Sequence, residues 1–220
     1  MNLVVYTAVF GDTDPLRDPV RPGNTRFVCF TDQPVRSKVW EIVQLPKQVA
    51  PKRASRQFKQ PSHLVFPEAG ATLWVDAQLI LAVDPLYILK RYPGEFTGFR
   101  HHKRQRIVDE AEAIIRAGKG KADAIHAQLA AYQADGWDTD EDPQQAITNG
   151  GFMLRRHTER VKAFNELWHH EVQTRTLRDQ MSLDYCAARV GLPIDYLPGH
   201  VARNALTCRT LYPGKPTNDF

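Results

Sequence analysis

Cysteine is scarce: Cys29, Cys186 and Cys208 are the only three in 220 residues. An odd number without metal-type spacing excludes a disulfide framework and reads as free thiols of a reducing compartment. No apolar run approaches the roughly 18 residues that span a bilayer. The opening Met1–Tyr6 lacks the basic region and cleavage site of a secretory leader. A soluble, cytoplasmic protein without a transmembrane segment is therefore expected. Charge of one sign is not in large excess either, at 29 Lys and Arg against 25 Asp and Glu, net +4. That balance permits attraction to phosphates without itself indicating nucleic acid. The densest basic cluster, Arg100–Arg106, has no interleaved aromatic residues for stacking bases. No nucleic-acid partner is expected, and an interface over residues 100–106 stands as a third reading, marked by salt-sensitive oligonucleotide binding.

Internal repeats, low-complexity tracts and linkers are also missing, so one domain over 1–220 is expected. The stretch 207–220, rich in Pro, Gly and polar residues, is a packed tail or a lid. What remains is an ordinary globular composition, 42% hydrophobic, in a chain long enough to bury a sizeable core. Strand patterns at Leu3–Phe10, Arg26–Thr31, Trp40–Leu45, Glu95–Arg100 and Ala146–Leu154 are separated by helical spacing. The helices fall at Lys52–Gln60, Leu86–Lys90, around Ile107–Ile115, around Ala122–Tyr132, around Val161–Val172 and at Asp179–Val190. Trp137–Pro143 reads as an acidic loop. Such alternation predicts a three-layer α/β domain with a mixed, mostly parallel central sheet.

The run Thr72–Leu81 carries the strongest functional signal. It is apolar and long enough for a buried strand, yet holds Asp76, with Gln78 two residues on. A carboxylate there costs several kcal/mol unless a cation, a partner or hydrogen bonds compensate it. In an open α/β sheet such a residue belongs where the strand emerges into the ligand crevice. A buried Asp tied to backbone amides or an arginine is the alternative.

Other polar groups point to the same crevice. Thr7 and Ala8 end the first strand and Asp32 ends the second, where a nucleotide base and ribose could sit; ordinary turn residues would look the same. Arg53, Arg56 and Lys59 share a helix before Asp76, either as a clamp for a diphosphate or as a solvated face. His101 and Arg104 follow a strand. Asp179 and Gln180 open the last helix, where an Asp caps the backbone or, with the amide, grips a sugar. Asn149 and Gly150 interrupt a strand, as glycines do at bulges and close ligand approaches.

Ordered matches run along nearly the whole chain: Tyr6–Gly11, Phe27–Asp32, Lys59 with His63 and Phe66–Pro67, Leu73–Asp76, Asp84–Pro85, and His101 with Arg104. They continue through Glu110–Ala113, Ala117–Lys119, Arg156–His157, Leu167–Trp168, Glu171–Val172 and Arg178–Gln180 with Ser182. In these the chain resembles a glycosyltransferase-like domain family of plant mucilage- and pollen-related proteins and bacterial members. The resemblance implies a GT-A type nucleotide-diphospho-sugar transferase fold and transfer of a sugar from a nucleotide-sugar donor, UDP-sugar first, to a glycan or other hydroxyl acceptor. It implies catalytic roles for Asp76, Asp179 and Gln180. Thr7, Ala8, Asp32, Arg53, Lys59, Gln78, Asn149 and Gly150 fall on the donor side, and His101 and Arg104 on the acceptor side. Many GT-A enzymes hold a divalent metal with Asp-X-Asp; here the second carboxylate is Gln78. Mn or Mg on Asp76, with His200 as a further ligand, and a metal-free site clamped by Arg53 and Lys59 both stay open. So does a non-catalytic nucleotide-sugar or glycan binder of the same fold.

Overall fold

The computed structural model describes residues 1–11, 14–139 and 147–209. The tail beyond 209 and residues 140–146, which include part of the acidic loop and the start of the strand expected at 146, lie outside them. The chain begins with strands β1 (Leu3–Val9), β2 (Arg26–Thr31) and β3 (Glu41–Gln44), then helices α1 (Pro51–Lys59) and α2 (Ser62–Val65). Strands β4 (Ala71–Val75) and β5 (Leu79–Leu81), helix α3 (Pro85–Arg91) and strand β6 (Phe96–Arg100) follow. Next come α4 (Ile107–Arg116), α5 (Ala122–Ala134), β7 (Thr148–Arg156) and α6 (Glu159–Thr174). After a 3-10 turn at Asp179–Met181 the described chain ends with α7 (Leu183–Arg189), β8 (Ile194–Leu197) and β9 (Thr207–Arg209).

Seven strands form the central sheet in the order β3-β2-β1-β4-β7-β6-β8. Only the pairings of β7 with β4 and with β6 are antiparallel, so the sheet is mixed and mostly parallel, as its sequence predicts. Strands β1 and β4 are buried along almost their whole length, which is why they read as continuous apolar runs rather than alternating ones. One face packs Val5, Leu73, Phe152 and Leu154 against Ile88 and Leu89 of α3. The other packs Tyr6, Trp74 and Met153 against Phe164, Trp168 and Val172, the apolar stripe of α6. A smaller cluster of Ile107, Ala111, Ile114, Ile125 and Met181 joins α4 and α5 to the 3-10 turn.

Two elements differ from their expected form. The run Thr72–Leu81 is two strands in two sheets: β4 ends at Val75, and β5 pairs with β9 in a separate ribbon. The backbone of Asp76 makes the break, donating to Gly151 O at 2.8 Å and accepting from Leu79 N at 2.8 Å. The helix expected at Asp179–Val190 starts as the 3-10 turn instead. Trp168 Nε1 donates to Asp179 O at 2.9 Å, and that carbonyl also accepts from Ser182 N at 3.4 Å. The carbonyl that would begin an α-helix is thus already engaged.

Arg155 anchors α1 to this scaffold. It is fully buried in β7 and donates to Lys59 O at 2.7 Å, Gln60 O at 2.8 Å, Tyr6 Oη at 2.6 Å and Asn165 Oδ1 at 2.5 Å. It therefore binds the last carbonyls of α1, strand β1 and helix α6 at one point. Arg155→Met is expected to lower the unfolding free energy by about 3 kcal/mol, because buried acceptors lose a charged donor. Arg26→Met, at a half-exposed ion pair with Glu41, should cost less than about 1 kcal/mol. Urea titration of both variants checks the contrast.

Candidate functional site

The parallel strands β1 and β4 end on one edge of the sheet, and the start of antiparallel β7 meets them there. This edge collects Asp76 just past β4, Asn149–Gly151 at the head of β7, the inner face of α1 and the 3-10 turn with Asp179. Pairing of β6 with β7 jumps from Gly98–Met153 to Phe99–Asn149, so the chain around Gly150 and Gly151 bulges out of the ladder. Asn149 Oδ1 steadies the bulge by accepting from Gly151 N at 2.8 Å. A Cβ on Gly151 would lie 3.0 Å from Asn149 Oδ1 and 3.1 Å from Asp76 Oδ2; one on Gly150 would lie 3.4 Å from Lys59 Nζ. Glycine is what lets the strand pass so close to the charged groups.

Lys59 is the electrostatic hinge of the site. Its ammonium, buried at 4% exposure, lies 2.6 Å from Asp179 Oδ2 and 3.7 Å from Asp76 Oδ1. Trp74 lies beneath it, with the ring centroid 5.2 Å from Nζ, and Trp74 Nε1 donates to Asp76 Oδ1 at 2.8 Å. Arg56 Nη2 holds Asp179 Oδ1 at 2.9 Å. Burial alone would raise the Asp179 carboxyl, but Arg56 and Lys59 outweigh it and hold the group well below the usual carboxylate range. Asp76 keeps a third of its side chain exposed.

Two cavities meet at this point. The smaller, about 440 Å³, runs from Ala8, Val9 and Phe10 at the end of β1 past Pro51, Lys52 and Ser55 of α1 to Lys59 and Asp179. The larger, about 960 Å³, extends along His101–Arg104, Glu110 and Ile114 of α4, and His200–Asn204. Asp76, Gln78, Lys119, Asn149, Gly151, Arg178 and Gln180 border both.

In the larger cavity Glu110 is buried, with Arg104 Nε at 3.3 Å and Arg178 Nη2 at 3.9 Å. Burial raises its carboxyl despite the two arginines. His101 is pushed down to about 4, by burial first and then by His102, Arg104, His200 and Lys103. It is neutral at pH 7, with Nδ1 accepting from Lys103 N at 3.2 Å.

Most residues singled out from the sequence lie around these cavities. Asp76, Gln78, Asn149 and Gln180 border both, Ala8, Lys59, Gly150 and Asp179 the smaller, and His101, Arg104 and His200 the larger. Three lie elsewhere. Thr7 is fully buried within the sheet. Asp32 ties loops together, accepting from Gly11 N and Gln48 N at 2.9 Å each and from Gln33 Nε2 at 2.7 Å. Arg53 faces outward and donates to Gln173 Oε1 at 2.7 Å. Sequence reasoning gave no role to Arg178, Lys119 or Glu110. Arg178 adjoins Asp179, and Gly118 marks the turn that presents Lys119, but only the packing of α4 against the 3-10 turn brings the three together.

As to a metal, the described residues contain no group of three or more His, Cys, Asp or Glu placed to hold one. Asp76 offers a single carboxylate, which suits an ion whose remaining ligands are substrate phosphates and water. Lys59 already supplies a compensating cation.

Comparisons with known proteins fit this architecture. A family model described as TOD1/MUCI70, glycosyltransferase-like domain, matches residues 29–196. The chain is 30% identical over 211 residues to the probable hexosyltransferase MUCI70 of Arabidopsis thaliana, covering 82% of this chain and 36% of that protein. It is 25% identical over 220 residues to the alkaline ceramidase TOD1 of the same plant, covering 84% of this chain and 48% of that protein. The chain thus spans between about a third and a half of the length of these relatives.

Two outcomes follow from the geometry. Asp179→Asn removes a carboxylate whose folded-state affinity for protons is depressed, so its stabilising effect exists above the unfolded value near 3.9 and fades as pH falls below it. The wild type should exceed the variant by about 3 kcal/mol at pH 7, with the gap closing below about pH 4 in urea melts. Gly151→Ala should leave the melting temperature within a few degrees, by about 1 kcal/mol of strain, yet weaken ligand binding at Asp76, measured by calorimetry.

Proposed function

The chain belongs to the TOD1/MUCI70 glycosyltransferase-like family, and on that premise we propose that it moves a hexosyl unit from a nucleotide-sugar donor to a hydroxyl of a glycan acceptor. The observation that carries this reading is the meeting of two cavities at Asp76, on the edge of a mostly parallel sheet where ligands of open α/β folds bind. GT-A type architecture is part of the proposal, supported by the mixed sheet and by that crevice.

The smaller cavity suits the donor. Its base lies against Ala8, Val9 and Phe10, and its diphosphate reaches the wall at Asp76. Asp179 and Gln180 orient the sugar across the opening into the larger cavity. There the acceptor lies along His101 and Arg104. Asp179, held ionised by Lys59 and Arg56, is a poor proton acceptor and acts through position and charge. Asp76 would be the residue to hold a divalent ion, which would supply charge neutralisation to the leaving group; no step depends on it.

One observation favours a second reading, a nucleotide-sugar binder without turnover: the position two residues after Asp76 is the uncharged Gln78. Thermal-shift screening against UDP-, GDP-, CMP- and dTDP-sugars, with and without Mn²⁺, followed by transfer assays, separates the two. The transferase reading expects one donor class to raise the melting temperature and to be consumed. It also expects Asp76→Asn to cut turnover at least about 100-fold with the fold retained. Stabilisation without hydrolysis or transfer to any acceptor would favour the binder, and near-normal turnover in the variant removes Asp76 from the mechanism. The second relative's name adds an arm in which ceramide replaces the nucleotide sugar.

A further inference from the structure

Among the seven residues that border both cavities, two are cationic: Lys119 and Arg178. The cations expected from the sequence to clamp a diphosphate are committed elsewhere. Lys59 lies between two carboxylates, Arg56 is bonded to Asp179, and Arg53 faces Gln173 outside both cavities. Arg178 has no such close ion pair: its nearest carboxylate contact is a long 3.9 Å approach of Nη2 to Glu110, and its Nε, like that of Arg56, is buried without a hydrogen-bond partner. Its backbone is fixed, because Arg178 O accepts from Met181 N at 2.9 Å and Trp168 Nε1 pins the next carbonyl.

Lys119 is exposed, and among the described residues it forms no ion pair. It sits on the turn that ends α4, where Gly118 takes a φ of 62° and Lys119 N donates to Ile114 O at 3.0 Å. The turn holds the base of a flexible side chain at the rim of the shared wall.

We propose that Lys119 and Arg178, at the wall shared by the two cavities, are the catalytic cations for the departing nucleoside diphosphate. This rests on the transferase reading above. In the step, the acceptor oxygen bonds to the sugar's anomeric carbon while the bond from that carbon to the β-phosphate oxygen breaks. The electron pair goes to that oxygen, and the acceptor's proton leaves to water, directly or by way of the diphosphate. Negative charge therefore grows on the β-phosphate at the wall between the cavities, where these two side chains are. Arg178 supplies a rigid planar fork and Lys119 a mobile point charge. Glu110 pairs with Arg104 Nε at 3.3 Å and is the carboxylate nearest Arg178.

The test is calorimetric titration of the full chain with UDP, UMP, GDP and GMP, with and without Mn²⁺. It uses the wild type, Lys119→Ala, Arg178→Gln, Arg178→Lys and the control Lys121→Ala, an exposed site outside both cavities. The wild type should prefer a diphosphate over its monophosphate. Lys119→Ala and Arg178→Gln should each cut that preference about tenfold while leaving monophosphate affinity unchanged. Arg178→Lys should fall between, and Lys121→Ala should match the wild type. With an active donor, kcat should drop about 100-fold at constant acceptor KM. Unchanged preference in both Lys119→Ala and Arg178→Gln, or no preference in a wild type that binds both, overturns this inference alone. A wild type that binds none of the four, nor any of the UDP-, GDP-, CMP- and dTDP-sugars screened above, overturns the transferase reading with it.

Discussion

The buried ammonium of Lys59, shared between Asp76 and Asp179, is the interaction on which the site depends. Two carboxylates and a cation within a few ångströms are costly to take out of water, and the arrangement persists because each charge is compensated. Arg56 takes the second oxygen of Asp179, Trp74 donates to Asp76 while facing the ammonium, and the glycine bulge of β7 leaves room for all of them. Each comes from a different part of the chain, so the site exists only once the sheet has formed.

The position of Lys59 is set from behind by another buried cation. Arg155 binds the carbonyls of Lys59 and Gln60, and Tyr6 Oη donates to Lys59 O at 3.0 Å. The end of α1 is thus fixed by strands β1 and β7, whose outer ends also frame the cavities. A defect at Arg155 would move the charge that organises Asp76 and Asp179. Stability and site geometry are joined through a single turn of helix.

Much of the architecture was legible from periodicity. The parallel core strands read as unbroken apolar runs, and α6 shows its stripe of Val161, Phe164, Trp168 and Val172. The need of Asp76 for compensation also followed from its chemistry, which left an opening and a buried partner as alternatives. The break after Val75 did not, because β5 exists only through its pairing with residues 207–209, far along the chain. Nor could spacing decide which cations of α1 face inward: Arg56 and Lys59 do, whereas Arg53, one turn earlier, meets Gln173. Asp32 follows the end of β2 as expected but is consumed by loop amides, whereas Thr7 lies within β1, two residues short of its end, and is buried in the sheet. Arg178 and Lys119 gain their place from the packing of α4, which no local pattern encodes.

The most direct test of the account is a crystal structure of the wild-type protein with a non-hydrolysable nucleotide sugar. The account expects the base along Ala8–Phe10, the diphosphate at the wall between the cavities beside Asp76, and the sugar against Asp179 and Gln180. A ligand bound elsewhere, with the Lys59 cluster untouched and both cavities empty, would contradict it.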